Sequence, residues 1–302
     1  MLNTASDAFE IYLNIPERFP PLSERAVTPI SISSMDEISA QFDVFLFDAY
    51  GVLNCGSQAI EGAGDSIEKL QAANKQVFVV TNSATPNPLQ LREKFQNLGF
   101  NFLDQNIVSS RSVLESHLQQ LPAQATLGVI NTPEQGLDCQ QPCHYVGDEK
   151  FWQSDCFIFL SSQCWSWELQ GQLEAELRKR PRPFWIGNPD LIAPLENSIS
   201  IEPGSYTFQM SQSLFRLNRY FGKPFPSIFD EVKRRCNLGL TQTIDPQRML
   251  MVGDTLHTDV LGGNAAGLKT LLVTEHGFLK GLDVDSHIQR SKVKPDFIIT
   301  SI

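Results

Sequence analysis

The sequence predicts an α/β fold: a parallel sheet whose chain is interrupted by a second α/β unit. Three observations carry this. Short apolar runs alternate with amphipathic stretches over residues 44–98, the pattern of parallel βα units. The same rhythm returns over 226–299. Residues 108–204, between these halves, hold strand and helix signals of their own. At about 100–200 residues per domain, 302 residues suit two domains or one large one.

The elements follow in order. Residues 1–40 are an irregular extension punctuated by Pro16, Pro20, Pro21 and Pro29, with short helices expected at 5–12 and 35–41. Val44-Phe45-Leu46-Phe47 is a buried-strand run ending at Asp48. A helix is expected over 64–74, a strand at 76–80 ending in Thr81-Asn82-Ser83, and a helix over 88–98. In the insert, strands are expected at 126–130, 156–160 and 184–186, with helices at 111–120 and 167–180. The C-terminal half then gives a helix at 226–236, a strand at 249–252 and a helix at 258–266. Strands at 270–273 and 295–299 complete it. The expected division is an extension 1–40, a core of 41–107 with 205–302, and an inserted domain 108–204.

Composition narrows the function. The formal net charge is −10, which argues against a broad basic surface for nucleic acid. No run of 18 or more apolar residues is present, so no membrane span is expected. The first ten residues are polar and carry Asp7 and Glu10, unlike a secretory signal. Six cysteines in a chain this long are too few for a disulfide framework, and a cytoplasmic location is expected.

Ligands of open parallel sheets bind at the carboxyl ends of strands, and four polar clusters fall at or near such places. Asp48 directly follows a buried strand, where it either faces a ligand as a nucleophile or caps the turn before Gly51. Thr81-Asn82-Ser83 offers hydroxyls and N–H groups to phosphate oxygens, or forms an N-cap. Lys223, between Gly222 and Pro224, presents one cation from a stiffened turn, or is a surface lysine. Asp254 and Asp259 lie five residues apart across a strand–turn–helix junction, a hard oxygen pair suited to Mg²⁺. His257 between them reads as a solvated turn residue or a ligand contact. Cys139, Cys143 and His144 fall short of the four ligands of a structural zinc site. Trp165, Trp167 and the tract Phe221, Phe225, Phe229 read as core or interface residues.

Together, and in this order, the four clusters resemble the motifs of the haloacid dehalogenase superfamily over about 42–100 and 205–300. The run Gly262-Gly263-Asn264-Ala265-Ala266-Gly267 continues the last motif. Asp48 to Thr81 spans 33 residues and Thr81 to Lys223 spans 142, so the inserted domain lies between the second and third motifs. With Asn131-Thr132-Pro133-Glu134 and Gly187-Asn188-Pro189-Asp190, that placement resembles class IIA, a Rossmann-like core with a C2-type cap. The resemblance implies a phosphatase acting on a small phosphorylated metabolite, such as a sugar phosphate, through an aspartyl-phosphate on Asp48. It implies Mg²⁺ held by Asp48, the Tyr50 carbonyl and Asp254, with Asp259 orienting a water beside the metal or Lys223. Thr81, Asn82, Ser83 and Lys223 would bind phosphate. A homodimer formed through the cap is implied in the same way.

One departure matters. The family's phosphatases carry Asp two residues after the nucleophile, and this chain has Tyr50. A phenol, with a pKa near 10, donates a proton but is a poor base at neutral pH; losing such help costs about 10²–10⁴ in rate. Good leaving groups, such as aryl phosphates, are therefore expected to be favoured. A weakly catalytic or non-catalytic phosphate-binding protein is the alternative. A 2-haloacid dehalogenase shares Phe47-Asp48-Ala49-Tyr50-Gly51 but carries its cap between the first two motifs, where this chain has no room.

Overall fold

The structure, a computed structural model, describes residues 2, 4–22, 26–194 and 199–302. Twelve strands build its two main sheets. They are β1 (Ile30–Ser31), β2 (Val44–Phe47), β3 (Gln76–Thr81), β4 (Ile107–Ser109), β5 (Leu127–Ile130) and β6 (Cys143–Tyr145). β7 (Cys156–Phe159), β8 (Phe184–Ile186), β9 (Asn218–Tyr220), β10 (Met249–Gly253), β11 (Lys269–Val273) and β12 (Phe297–Ile299) follow. The first sheet runs β1-β12-β11-β10-β2-β3-β4, and the second runs β9-β8-β7-β5-β6. Every pairing in both is parallel.

Burial on both faces explains the unbroken apolar runs. Phe45 and Phe47 of β2, with Val77 and Val79 of β3, face the cluster under the helices Ala63–Ala72 and Pro88–Asn97. Val44, Leu46, Phe78 and Val80 face the opposite way. They share one cluster with the helices Ser110–His117 and Pro226–Cys236 and with Leu127, Val129 and Ile158 of the second sheet. The other face of the second sheet, with Phe157, Phe159 and Phe184, packs under the helix Trp167–Lys179.

Several expectations need correction. The strand β4 and the helix Ser110–His117 stand with the first sheet, while β9 pairs with β8 in the second. The second sheet is therefore built from strands spanning 127–220, against an expected insert of 108–204, and the three-residue strands β4 and β9 are too short to show a period in the sequence. The helix expected over 258–266 is two pieces, a buried π-helical turn Leu256–Val260 and an α-helix Leu261–Ala265. Residues 35–41 form two 3₁₀ turns. The extension is not an appendage. β1 pairs with β12 at the sheet edge, and the helix Ala5–Asn14 buries Ala8, Phe9 and Tyr12. Thr4 and Asp7 cap that helix reciprocally, as a capping box does. Trp165 is buried, but Trp167 is half exposed and packs on Tyr206.

Candidate active site

Strands β2 and β10 are neighbours, with Phe47 opposite Val252, so Asp48 and Asp254 leave the sheet side by side. The Asp48 N–H still donates to Val252 O at 2.9 Å, which holds the residue at the strand end. Its Oδ1 accepts from the Ala49 N–H at 2.6 Å and lies 2.7 Å from Lys223 Nζ. Gly51 turns the chain back with φ +75°, and a Cβ there would stand 2.6 Å from Asp254 Oδ2. Asp254 accepts from the Phe278 N–H at 2.6 Å and from the Thr255 hydroxyl at 3.1 Å.

Asp259 projects from the π-helical turn. Its Oδ2 accepts from the Thr255 N–H at 3.1 Å, and its Oδ1 is 2.7 Å from Lys223 Nζ. The buried Lys223 thus bridges Asp48 and Asp259. Burial works against its charge, but Asp259 and then Asp48 reverse the effect and hold its pKa above the ordinary lysine range. The Asp254 pKa is also raised, by burial and then by the charges of Asp259 and Asp48. Asp259 is raised chiefly by burial, which the Lys223 charge partly offsets.

Asn82 places the lysine. The Lys223 N–H donates to Asn82 Oδ1 at 2.7 Å, and Asn82 Nδ2 donates to Lys223 O at 2.9 Å. Gly222 is needed beside it, because a Cβ would stand 2.4 Å from Asn82 Oδ1. Asn82 Nδ2 also donates to Asp190 Oδ1 at 2.8 Å. Thr81 is buried and its hydroxyl accepts from the Ser83 N–H at 3.2 Å.

The structure therefore brings Asp48, Tyr50, Lys223 and Asp254 to one small cavity of about 60 Å³. Asp259 stands beside it through Lys223. Thr81, Asn82 and Ser83 do not line it; the Asn82 side chain is occupied in holding Lys223 and Asp190. His257 is neither solvated nor in the cavity wall. It is buried and stacked on Tyr12, and burial, then His287, pushes its pKa down to about 3. Asp190 and Tyr12 also line the cavity, and neither was expected as a site residue. Asp190 follows β8, and burial pushes its pKa up to about 8, partly opposed by the Asn82 hydrogen bond. Its motif was visible in the sequence, but nothing local aimed it at Asp48. Tyr12 comes from the N-terminal helix, and no sequence signal marked it.

The donor set fits a divalent cation. Asp48, Asp254 and Asp259 each offer a carboxylate oxygen, and these lie within 4.8 Å of one another. Hard oxygen donors suit such ions. Lys223 sets one positive charge against three carboxylates, and the raised pKa of Asp254 expresses the uncompensated charge.

A parallel sheet with an acidic pair, a lysine and an aspartate at its carboxyl edge defines a class, and the chain belongs to the haloacid dehalogenase-like hydrolases. The family's sequence pattern matches residues 45–142, and a second pattern, described as HAD-hydrolase-like, matches 220–302. Among particular relatives, the chain is 28% identical to glycerol-3-phosphate phosphatase of Gallus gallus, over 88% of this chain and 91% of that one. It is 25% identical to phosphoglycolate phosphatase 1A, chloroplastic, of Arabidopsis thaliana, over 93% and 81%. A possible sugar phosphatase of the HAD superfamily from Cytophaga hutchinsonii superposes with a TM-score of 0.77 at 25% identity, covering 90% and 98%. No described helix is long and apolar enough to cross a membrane.

Proposed function

We propose that this chain hydrolyses small phosphate monoesters in a Mg²⁺-dependent reaction through an aspartyl-phosphate on Asp48. The observation that carries the reading is the set of ion pairs in which Lys223 bridges Asp48 and Asp259 beside Asp254. A cation held next to a strand-end carboxylate suits attack on a dianionic ester. The phosphatase relatives support the same reading. The second sheet, with strands spanning 127–220, is assigned as the cap over the site.

Asp48, Asp254 and the Tyr50 backbone carbonyl would hold the metal, which supplies charge stabilisation at the phosphoryl oxygens. Asp48 Oδ1 is engaged by Lys223 and the Ala49 N–H, which leaves Oδ2 for attack. Asp48 attacks phosphorus in line, the bond to the ester oxygen breaks, and the leaving alkoxide takes a proton from the Tyr50 hydroxyl. Water then attacks phosphorus, its proton passing to the Tyr50 phenolate, the acyl–phosphate P–O bond breaks, and inorganic phosphate leaves with the Asp48 carboxylate and the Tyr50 phenol restored. Thr81 and the Asn82 N–H are assigned to phosphate contacts once substrate enters, with Ser83 beside them. Lys223 holds Asp48 and neutralises charge throughout, and Asp259 positions Lys223.

The test is a screen of phosphate monoesters with Mg²⁺ and with chelator, run beside Asp48→Asn. Mg²⁺-dependent turnover lost in Asp48→Asn supports the reading, and undiminished turnover in that variant rejects it. Halide release from 2-haloacids without metal would instead assign the dehalogenase.

A further inference from the structure

We propose that Tyr12 is a specificity-determining residue of this site: a partition, brought in by the N-terminal segment, that limits the leaving group to a few atoms. The proposal rests on the phosphatase reading above.

Tyr12 touches both halves of the site. Its ring stacks on His257, with centroids 4.6 Å apart and planes 5° from parallel. His257 sits in the chain between Asp254 and Asp259. The Tyr12 hydroxyl accepts from the Leu191 N–H at 3.4 Å, next to Asp190. Burial, then the Asp190 charge, raises the Tyr12 pKa, so the phenol stays neutral. Its own proton has no acceptor among the described residues and is available to a polar atom of a leaving group.

The segment is fastened on both sides of the site. Arg290 pairs with Glu10 at 2.6 Å on the first-sheet side. On the second-sheet side, Arg18 donates to Met210 O at 3.2 Å and stands 4.1 Å over the Phe215 ring. Phe19 packs on Phe208, with centroids 4.6 Å apart. The ring is therefore a fixed wall and not a loose tail.

Two cavities meet at that wall. The inner one, about 60 Å³, holds Asp48, Lys223 and Asp254. The outer one, about 280 Å³, is bounded in part by Leu13, Phe19, Leu261 and Val293, and among the described residues Tyr12 alone lines both. Pockets for small molecules usually measure about 300–1,000 Å³. The inner space alone suits a phosphate with a short substituent; the two joined approach the ordinary size. Shortening residue 12 joins them and opens a space with room for a ring, walled by Leu13, Phe19, Leu261 and Val293 and flanked by the polar His257, Arg290 and Lys292.

The experiment measures binding of inorganic phosphate, methylphosphonate and phenylphosphonate to the full chain with Mg²⁺ by calorimetry. None of these is hydrolysed, so binding is read apart from turnover. Hydrolysis of glycerol 3-phosphate and p-nitrophenyl phosphate is followed in parallel. Tyr12→Ala is expected to shift the phenylphosphonate-to-methylphosphonate affinity ratio by about tenfold or more toward the larger ligand, with inorganic phosphate unchanged. The kcat/KM ratio of the two esters should move in the same direction. Tyr12→Phe keeps the ring and should leave the size ratio alone while raising KM for glycerol 3-phosphate. If Tyr12→Ala does not fold, Tyr12→Leu preserves apolar packing and carries the same expectation at smaller size. Ligands that bind the parent chain with a ratio unmoved in the folded variants overturn the partition and spare the phosphatase reading. A parent chain that binds none of the three overturns both.

Discussion

The two sheets share parallel pairing and differ in what their strands end in. Both are wholly parallel, and both bury their strands on two faces. In the first, β2 and β10 end directly in Asp48 and Asp254. In the second, β5 ends in Asn131 and β8 in Gly187-Asn188, neutral groups bonded to their own surroundings. Its charge-bearing contributions come further from the strand ends: Lys223 three residues past β9, and Asp190 four residues past β8 and held toward the protonated state. The lesson is that the first sheet supplies its carboxylates one step beyond its strands, whereas the second sheet reaches the site only through connections three or four residues long.

The largest test of this contrast sets Asp48→Asn against Asn131→Ala. The first should lower kcat by on the order of 10⁴ or more. The second should leave kcat within about twofold and cost only about 1–3 kcal/mol of stability for a broken buried hydrogen-bond set. Steady-state rates beside urea melts decide it, and equal losses in rate would erase the distinction. Next, Tyr50→Asp should raise turnover of an alkyl ester such as glycerol 3-phosphate by about 10²–10⁴, because it places a carboxyl where the phenol now stands. No gain in a folded, metal-binding variant would show that residue 50 is not what limits the reaction. Acetyl phosphate, small but with a good leaving group, separates that acid–base effect from the size limit of the cavity.

A smaller effect concerns the bridge. Lys223→Ala leaves the buried Asp259 and the partly buried Asp48 without their shared cation, a change that costs about 3–5 kcal/mol. Urea denaturation without metal measures it. The smallest belongs to the second sheet. The Asp190 pKa is raised to about 8, against about 3.9 for an unfolded aspartate. The folded state therefore holds a proton that the unfolded state has released between those values. Its contribution is fully present below about pH 4 and is lost as pH rises toward 8. Asp190→Asn should flatten the fall in stability across that window, and an unchanged pH profile would place the Asp190 carboxyl in an ordinary ionised state.

The strand ends were legible because they are local. An apolar run followed by Asp48, or by Gly253-Asp254, states its own position, and the order of four such clusters named the family. Their mutual geometry was inherited from the sheet, since adjacent parallel strands bring their ends together whatever the intervening chain does. What stayed hidden was long-range or short. Asn218–Tyr220 has three residues, two of them polar, and shows no strand period, so its place in the second sheet could not be read. His257 looked like a turn residue because the rings that bury it, Phe9 and Tyr12, lie far away in sequence. Tyr12 itself sat in a stretch dominated by prolines, where nothing local connects a phenol to a carboxylate more than thirty positions on.

The grip of Asn82 on Lys223 has one more consequence. The two residues are 141 positions apart, yet a single side-chain amide holds both the N–H and the C=O of the lysine. That is how a neighbouring strand would hold it. The chain leaves the reaction centre at one residue and returns at the other, and the mouth of that excursion is tied shut by contacts that need nothing from the residues between. Insertions or deletions far out in the excursion would therefore change the shape of the roof without moving the lysine beneath it.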